Sequence, residues 1–304
     1  MKRIMPVLAI GILFVLVSCG NSYEENRRLS RAEKERLDSL DQIAFKVGVM
    51  PTLDCLPVYI AYEDSLFEKD SVRVHLKSFT AQMDCDTALT KGSVQGSVTD
   101  LVRAERLRSR GVALTYPIAT NTYWQLVTNR LARIRELHQL SDKMIADTRF
   151  SATDLLTGIA IRRGHPKYNV YRVQINDVKI RLEMLENNEM DAMFLTEPQA
   201  TKARLMGSPV LLDSRDLDMH LGVFAFRKAD LAGRRRQMRL FLKAYNQAVD
   251  SIHRHGLQFY GPLIRKYCGS DPQTVKALPS LVFTPAHSPR RQDIERARKW
   301  IIQH

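Results

Sequence analysis

Two spacings of apolar residues alternate along the chain from residue 45 onwards. Phe45 to Met50 place apolar residues at alternate positions, which predicts a β-strand, and Leu56 to Phe67 place them three and four apart, which predicts an amphipathic helix. The same succession continues, with further strands predicted at 72–79, 94–98, 112–118, 123–129, 143–147, 170–175, 192–195, 209–212 and 221–226. Helices are predicted between most of these strands. Such alternation is typical of an α/β fold in which helices cover the faces of a sheet.

The alternation runs through two rounds, which predicts two lobes followed by a helical tail. We expect the chain to cross from one lobe to the other near 117–122 and to return near 214–223. The predicted organisation is a signal peptide at 1–18, a lipidated tether at 19–42, the first part of lobe 1 at 43–120, lobe 2 at 121–216, and a return to lobe 1 with C-terminal helices at 217–304.

The start of the chain has the pattern of an export signal. Lys2 and Arg3 precede an uncharged apolar run at 5–17, which is too short for a membrane span of roughly 20 residues. Leu16-Val17-Ser18-Cys19 resembles the bacterial lipobox, whose cysteine becomes the lipidated first residue of the mature protein. The alternative is an ordinary signal peptide with an incidental cysteine. The lipobox predicts a mature chain that is anchored by lipid to a membrane of the cell envelope and faces the periplasm.

The formal net charge is +13, to which Lys2 and Arg3 contribute two. A basic balance is compatible with nucleic-acid binding. However, the arginines are scattered rather than interleaved with aromatic residues, and an exported protein rarely meets nucleic acid. The denser clusters at 234–239 and 290–299 are interpreted as solvated helix faces, with an anionic membrane surface or partner as the alternative. We expect a monomer that binds no nucleic acid.

Several short motifs between residues 45 and 255 follow one another at the spacing of a known family. They are Gly48-Val49-Met50-Pro51, Leu56-Pro57-Val58-Tyr59-Ile60-Ala61, Leu66-Phe67-Glu68-Lys69, Ala88-Leu89, Lys91-Gly92, Thr196-Glu197-Pro198 with Ala200 and Ala203, and Val210-Leu211-Leu212-Asp213-Ser214-Arg215-Asp216-Leu217. With these motifs, the chain resembles the substrate-binding proteins of ABC importers for nitrate, taurine, alkanesulfonates and thiamine precursors. The resemblance implies the type II periplasmic-binding fold: α/β, with mixed sheets flanked by helices in two lobes and a ligand cleft between the lobes.

The resemblance also implies which loops face the ligand. Ligands of open α/β sheets bind at the carboxyl ends of the strands, and two such lobes enclose the ligand and exclude water when they close. In the first lobe, the candidate ligand-binding residues are Thr52 and Asp54 after the first strand, Gln82 and Asp84 after the second, and Asp100 after the third.

Six further candidates lie in or next to the second lobe. They are Asn121, Tyr123, Trp124, Ser151, Thr153 and Glu197. Ser151 begins a predicted helix whose positive end can receive an anion, and a plain N-cap is the alternative. Tyr123 or Trp124 can stack on a ligand or pack in the core. Glu197 borders the cleft in the family, and its alternative is a carboxylate that stabilises a helix N-terminus.

The cysteines leave three interpretations open once Cys19 is lipidated. Cys55 and Cys85 fall on loops expected at the cleft rim, and a disulfide between them is permitted outside the cytoplasm. Buried free thiols are the second interpretation. A soft-metal or thiol-reactive site is the third, because thiolates beside carboxylates suit metals.

Capture of a small organic molecule for an ABC permease is the function that the resemblance implies, without catalysis, cofactor or metal. The carboxylates of Asp54, Asp84 and Asp86 argue against a purely anion-selective pocket and favour a cationic or amine-bearing ligand. One alternative is an enzyme on the same fold, although no set of nucleophile, base and orienting group is visible. The other is a sensor or scaffold lipoprotein that binds a solute and reports through a protein partner.

Overall fold

The computed structural model describes residues 30–31, 33–36, 39, 41, 43–69 and 72–304. The predicted signal peptide, the lipobox with Cys19 and the start of the predicted tether lie outside these residues. The described positions between 30 and 43 are helical. Across the described part of the chain, no helix has both the length and the apolar character that crossing a membrane requires.

Two five-stranded sheets organise residues 45–304. The strands are β1 Phe45–Val49, β2 Val74–Ser78, β3 Gly96–Asp100, β4 Leu114–Ala119, β5 Gln125–Thr128, β6 Met144–Asp147, β7 Tyr171–Gln174, β8 Ala192–Leu195, β9 Val210–Asp213 and β10 Gly222–Arg227. The first sheet has the order β2-β1-β3-β10-β4, and β10 is antiparallel to both neighbours. The second has the order β7-β6-β8-β5-β9, and β5 is antiparallel to both neighbours. Both sheets are mixed, as the resemblance implied.

Each sheet forms the centre of one lobe, and the chain passes between the lobes twice. The first crossing lies between Ala119, which ends β4, and Gln125, which begins β5. The return lies between Asp213, which ends β9, and Gly222, which begins β10. Because β10 lies between β3 and β4, the first sheet includes a strand that follows the whole second lobe in the sequence. Two crossing segments of this kind allow the lobes to rotate against each other as bodies.

Helices flank both sheets. They are α1 Leu56–Glu63, α2 Leu66–Lys69, α3 Gln82–Thr90, α4 Leu101–Ser109, α5 Ala152–Gly164, α6 Val178–Glu186, α7 Gln199–Leu205, α8 Lys228–Leu231, α9 Arg235–His255, α10 Gly261–Cys268, α11 Pro272–Lys276 and α12 Arg291–Gln303. The single helix predicted at 56–67 is two helices. They are separated at Ser65, whose φ of 52° is incompatible with a continuous right-handed helix.

Aromatic rings fill the core between the first sheet and the long helix α9. Phe45 stacks on Phe226 with ring centroids 6.0 Å apart, and Phe241 of α9 lies 5.7 Å from each of them. Each such pair contributes about 0.5–1.5 kcal/mol beyond its buried area. Gly96 of β3 is required beside this cluster, because a Cβ atom there would lie 2.2 Å from the Phe226 ring. This packing holds β1, β3 and β10 in one sheet.

Cys55 and Cys85 are free thiols buried in the core of the first lobe, so the disulfide predicted between them does not form. Cys55 ends a short 3₁₀ turn, and its sulfur accepts from the Met50 backbone N–H at 3.5 Å. Cys85 lies within α3 rather than on a loop. Both side chains therefore point from helical backbone into the apolar interior, not towards the cleft rim. The second interpretation, two buried thiols, describes them.

Candidate functional site

A cavity of about 60 Å³ lies between the two lobes. Its lining residues are Met50, Thr52, Asp54, Gln82, Val98, Thr99, Asp100, Thr122, Trp124, Thr148, Ser151, Thr153, Asn176, Val178, Arg181 and Thr196. A single water needs roughly 10–15 Å³ of such space, so the cavity has room for roughly four to six waters or for a solute of a few non-hydrogen atoms. Most of the lining is polar, with side chains from both lobes.

Chain topology explains why polar residues converge here. Thr52 and Asp54 follow β1, and Asp100 is the last residue of β3 in the first lobe. Thr148 follows β6 and Thr196 follows β8 in the second lobe. These positions are carboxyl ends of parallel strands, where the backbone leaves the sheet and side chains are free to face a crevice. The cavity is thus the meeting point of two strand-end surfaces.

Asp54 is one of two carboxyl groups that the first lobe places at this cavity, the other being Asp100. Its Oδ2 accepts a hydrogen bond from the Thr120 hydroxyl at 3.2 Å. Its Oδ1 is buried, and within the described part of the chain no donor reaches it with good geometry. Burial raises the pKa of Asp54, and this effect outweighs the hydrogen bonds from Thr52 and Thr120 that lower it. Asp54 is therefore a buried carboxyl group with one open acceptor position.

Asp100 joins the two lobes electrostatically. It is the N-cap of α4, and its Oδ1 accepts from the Arg103 backbone N–H at 3.0 Å. Burial raises its pKa to about 6, while Arg103 and the backbone N–H of Ala152 act in the opposite direction. Ala152 is the first residue of α5 in the second lobe. The Asp100 carboxylate thus acts as a negative charge at the N-terminus of a helix in the opposite lobe.

The hydroxyl groups that begin α5 are also engaged within the protein. Ser151 Oγ accepts from the Thr153 backbone N–H at 3.1 Å and donates to the Thr148 carbonyl at 2.6 Å. Thr153 Oγ1 accepts from the Thr148 backbone N–H at 2.9 Å. This is the N-cap arrangement that the sequence left as the alternative to an anion site. Both side chains line the cavity, but their acceptor oxygens serve the helix.

Arg181 of α6 is the cation among the described residues that line the cavity. Its Nε donates to the Ile175 carbonyl at 2.8 Å, its Nη1 donates to the Phe194 carbonyl at 3.3 Å, and its Nη2 donates to the Thr148 hydroxyl. Burial lowers its pKa to about 10. Each guanidinium nitrogen is therefore committed to holding strand ends of the second lobe together.

Hydrogen bonds between the lobes show that the cleft is closed. The Leu53 backbone N–H donates to the Glu197 carbonyl at 3.0 Å, and the Val178 backbone N–H donates to the Thr80 carbonyl at 3.1 Å. Leu53 and Thr80 belong to the first lobe, whereas Glu197 and Val178 belong to the second. Because the bonds use backbone groups, they fix the spacing of the lobes independently of side-chain identity.

Three predicted ligand contacts lie behind the main cavity rather than on it. Asn121, Tyr123 and Glu197 line a separate cavity of about 10 Å³ together with Asp54. The Tyr123 hydroxyl donates to Glu197 Oε1 at 2.6 Å, and the Arg215 guanidinium covers the Tyr123 ring at 3.7 Å. One face of the predicted stacking position and its hydroxyl group are thus in use within the protein. Trp124, by contrast, lines the main cavity.

Asp84 and Asp86 do not join Asp54 at the cavity. Asp84 is exposed on α3, because that helix buries Cys85 and positions one turn further along. Asp86 pairs with the Arg103 guanidinium, whose Nε donates to Asp86 Oδ2 at 2.7 Å. The acidic trio predicted from the sequence is therefore dispersed, and Asp54 alone of the three faces the cavity.

Sequence reasoning placed Thr52, Asp54, Gln82, Asp100, Trp124, Ser151 and Thr153 at the cleft, and the structure brings all of them to the main cavity. It missed Met50, Val98, Thr99, Thr122, Thr148, Asn176, Val178, Arg181 and Thr196. Thr148, Asn176 and Thr196 follow β6, β7 and β8, so applying the strand-end rule to every strand would have found them. The sequence contains a weaker indication for Arg181, which is an arginine on the apolar side of a predicted helix.

The lining of the cavity presents mainly neutral polar groups. Among the described lining residues there is no His, Cys or Lys. In the described part of the chain, no group of three or more His, Cys, Asp or Glu side chains is arranged to hold a metal ion. What the cavity offers is hydroxyl and amide groups, the Trp124 ring and one open carboxylate oxygen.

No model of a known protein family matches the sequence, and no curated protein matches it. Solved structures do match the fold. The ligand-binding component of an ABC-type import system from Staphylococcus aureus, with zinc bound, has a TM-score of 0.72 at 13% identity and covers 86% of this chain and 91% of its own.

Two further solved structures have a similar fold. The alkanesulfonate-binding protein SsuA from Xanthomonas axonopodis pv. citri, bound to MOPS, has a TM-score of 0.69 at 17% identity, with 86% of this chain and 91% of that chain covered. The periplasmic nitrate-binding protein NrtA from Synechocystis PCC 6803 has a TM-score of 0.67 at 13% identity, with coverage of 83% and 74%. At this level of identity, these similarities establish the two-lobed periplasmic-binding fold that the sequence predicted.

Proposed function

We propose that this chain is a solute-binding lipoprotein that captures a small molecule between its lobes and delivers it to an ABC permease. The observation that carries the proposal is the cavity at which carboxyl-end residues of both sheets converge. A site formed by two lobes binds its ligand fully only when the lobes are closed. Closure thus signals the loaded state to a partner, which is what a carrier requires.

In this proposal the lobes rotate about the two crossing segments, 119–125 and 213–222. Opening breaks the backbone hydrogen bonds that Leu53 and Val178 donate across the cleft and exposes Asp54 and Trp124 to solvent. Residues 43–120 and 217–304 make up the first lobe, and residues 121–216 make up the second. The proteins of similar fold named above are components of import systems or bind nitrate or alkanesulfonate, which supports a carrier role for this chain as well.

The envelope location in the proposal rests on the lipobox at Leu16-Val17-Ser18-Cys19. Acyl chains on Cys19 and the tether at 19–42 would keep the two lobes beside a membrane permease while leaving the cleft free to open.

Ligand-induced stabilisation tests solute binding. The full chain is heated with a panel of sulfonates, carboxylates, amines, pyrimidine precursors and metal salts, and its melting temperature is measured. A ligand at 100 times its dissociation constant adds about 2.7 kcal/mol to the free energy of unfolding, which raises the melting temperature by several degrees. A melting temperature that no solute in the panel changes would contradict the proposal.

Mass spectrometry of the N-terminal peptide tests the anchor. The proposal expects the peptide from native membranes to begin at Cys19 with added acyl mass. A Cys19→Ala variant should lose that mass and leave the membrane fraction. Unmodified Cys19 in the native material would remove the lipoprotein part of the proposal and leave solute binding intact.

A further inference from the structure

The open acceptor on Asp54 indicates what the cavity lacks. Asp54 is 6% exposed and lines the cavity. Its Oδ2 accepts from the Thr120 hydroxyl, whereas no donor in the described part of the chain reaches its Oδ1 with good hydrogen-bond geometry. A buried acceptor that lost its water on folding is costly unless something donates to it. The group that completes this cavity is therefore a donor, and a carboxylate favours a donor with positive charge.

The groups that could receive an anion are already in use. Arg181 donates from all three guanidinium nitrogens to the Ile175 and Phe194 carbonyls and the Thr148 hydroxyl. The first N–H of α5 interacts with the Asp100 carboxylate of the opposite lobe. The positive charge of Arg181 is offset by the carboxylates of Asp147 and Asp100, which raise its pKa against the effect of burial. An anion entering the cavity would therefore add a further negative charge beside Asp54, and the repulsion would not be screened by water.

The aromatic lining fits the same kind of solute. Trp124 is 9% exposed and forms part of the cavity wall. The face of an indole ring attracts a positively charged group, while the hydroxyl groups of Thr52 and Thr99 supply neutral contacts. A metal ion is a poorer fit, because the described residues place a single open carboxylate at the cavity and no cluster of metal-ligating side chains.

We infer that the solute captured in this cleft carries an ammonium group that donates a hydrogen bond to Asp54 Oδ1. The inference rests on the proposed function, since it names the class of solute that the same cleft takes. It differs from the anion binding of the nitrate- and alkanesulfonate-binding proteins of similar fold. The cavity volume restricts the part enclosed with Asp54 to a few non-hydrogen atoms.

A matched set of small probes tests the inference on the full chain. Ethanolamine carries an ammonium group, isethionate carries a sulfonate on the same two-carbon alcohol, and zinc chloride supplies a metal cation alone. Binding is measured by isothermal titration and by the shift in melting temperature. We expect ethanolamine to bind and to raise the melting temperature, and isethionate and zinc chloride to do neither.

The variant Asp54→Asn tests the residue itself. An amide oxygen can still accept from the Thr120 hydroxyl, but the charge is removed, so ethanolamine affinity should fall at least tenfold. Asp84→Asn is the matched control, because it removes an exposed carboxylate of the same lobe; it should leave the affinity unchanged. Circular dichroism checks that both variants are folded. The comparison of the three probes uses the unmodified chain, so it remains valid even if a variant does not fold.

Each outcome separates the inference from the proposed function. Binding of isethionate or of zinc chloride without ethanolamine overturns the inference and leaves solute binding standing. Ethanolamine affinity that is equal in Asp54→Asn and in the unmodified chain also overturns it. If neither these probes nor any member of the wider solute panel binds, the proposed function fails and the inference fails with it.

Discussion

The Tyr123 hydroxyl donates a hydrogen bond to Glu197 Oε1 at 2.6 Å. Both residues are candidate ligand contacts by sequence, and the structure pairs them with each other. Glu197 accepts further hydrogen bonds from the Arg204 guanidinium at 2.7 Å and from the Thr201 backbone N–H at 2.9 Å. The pair ties the first crossing segment to the start of α7. Its role is to hold the second lobe in shape behind the cavity.

Replacement of Tyr123 by Phe should therefore affect stability and not ligand binding. The variant removes one buried hydrogen bond to a charged acceptor, so the free energy of unfolding should fall by about 1.5–3 kcal/mol. Urea denaturation measures this change, with Tyr168→Phe as a control at an exposed tyrosine. Titration with the ligand found by the solute panel should give the same dissociation constant as the unmodified chain. A large loss of affinity without a loss of stability would instead indicate that Tyr123 contacts the ligand.

Local pattern was sufficient to predict the strands and about half of the cavity. The positions of Thr52, Asp54 and Asp100 at the cavity can be predicted from chain direction alone. Once a parallel strand has been located in the sequence, its carboxyl end, where ligands bind, is also known. Asp84 could not be placed in this way. Whether it faces the cleft depends on the rotation of α3, which is set by the burial of Cys85 against the first sheet.

Arg181 shows a second limit of sequence reasoning. A charged residue is expected on the surface, and it is buried here only because the Ile175 and Phe194 carbonyls meet around its guanidinium. Those partners lie on different segments that come together only in the fold. The Cys55–Cys85 pairing failed for the same reason, since sequence spacing says nothing of the direction in which each sulfur points.

The buried thiols should be unreactive in the native protein. Burial raises the pKa of Cys85 to about 12, and it also raises the pKa of Cys55 well above its usual value. The reactive thiolate is therefore scarce at neutral pH. We expect iodoacetamide to modify Cys55 and Cys85 only after unfolding, as read by peptide mass spectrometry without reductant. A peptide pair linked through these two residues would contradict the structure.

Asp100 should make stability depend on pH. Burial raises its pKa to about 6 from its ordinary value of 3.8, so between these two pH values the native state binds more protons than the unfolded state. The free energy of unfolding due to this group is then highest at low pH and falls as the pH rises towards 6, by about 3 kcal/mol at most. Asn keeps the N-cap of α4 and does not titrate.

The difference between Asp100→Asn and the unmodified chain isolates this effect. Urea denaturation at pH 4, 5, 6 and 7 should show the variant gaining relative stability as the pH rises and levelling off near neutral pH. Asp84→Asn, at an exposed carboxylate of the same lobe, is measured alongside as the control substitution. A constant difference for Asp100→Asn would mean that Arg103 and the Ala152 N–H fully compensate for burial.

The C-terminal helix α12 packs on the first lobe and contacts the second lobe through Trp300. Helix α12 packs along α4 of the first lobe, and Trp300 on it is 5% exposed and contacts α5 of the second lobe at Gly158. A Cβ atom on Gly158 would lie 2.7 Å from Trp300 Cη2. The absence of a side chain at Gly158 is what lets the indole ring lie against α5.

In a double-mutant cycle, the effect of Gly158→Ala on the free energy of unfolding should therefore change sign. Trp300→Ala alone leaves a cavity and should lower the free energy of unfolding by about 3–5 kcal/mol. Gly158→Ala alone forces the ring away and should cost about 1–3 kcal/mol. In the Trp300→Ala background the same Gly158→Ala change meets no ring, and the better helix propensity of alanine should then stabilise α5 by up to about 1 kcal/mol. Urea denaturation of the four proteins measures the coupling, and additive effects would show that Trp300 does not depend on Gly158 for its position.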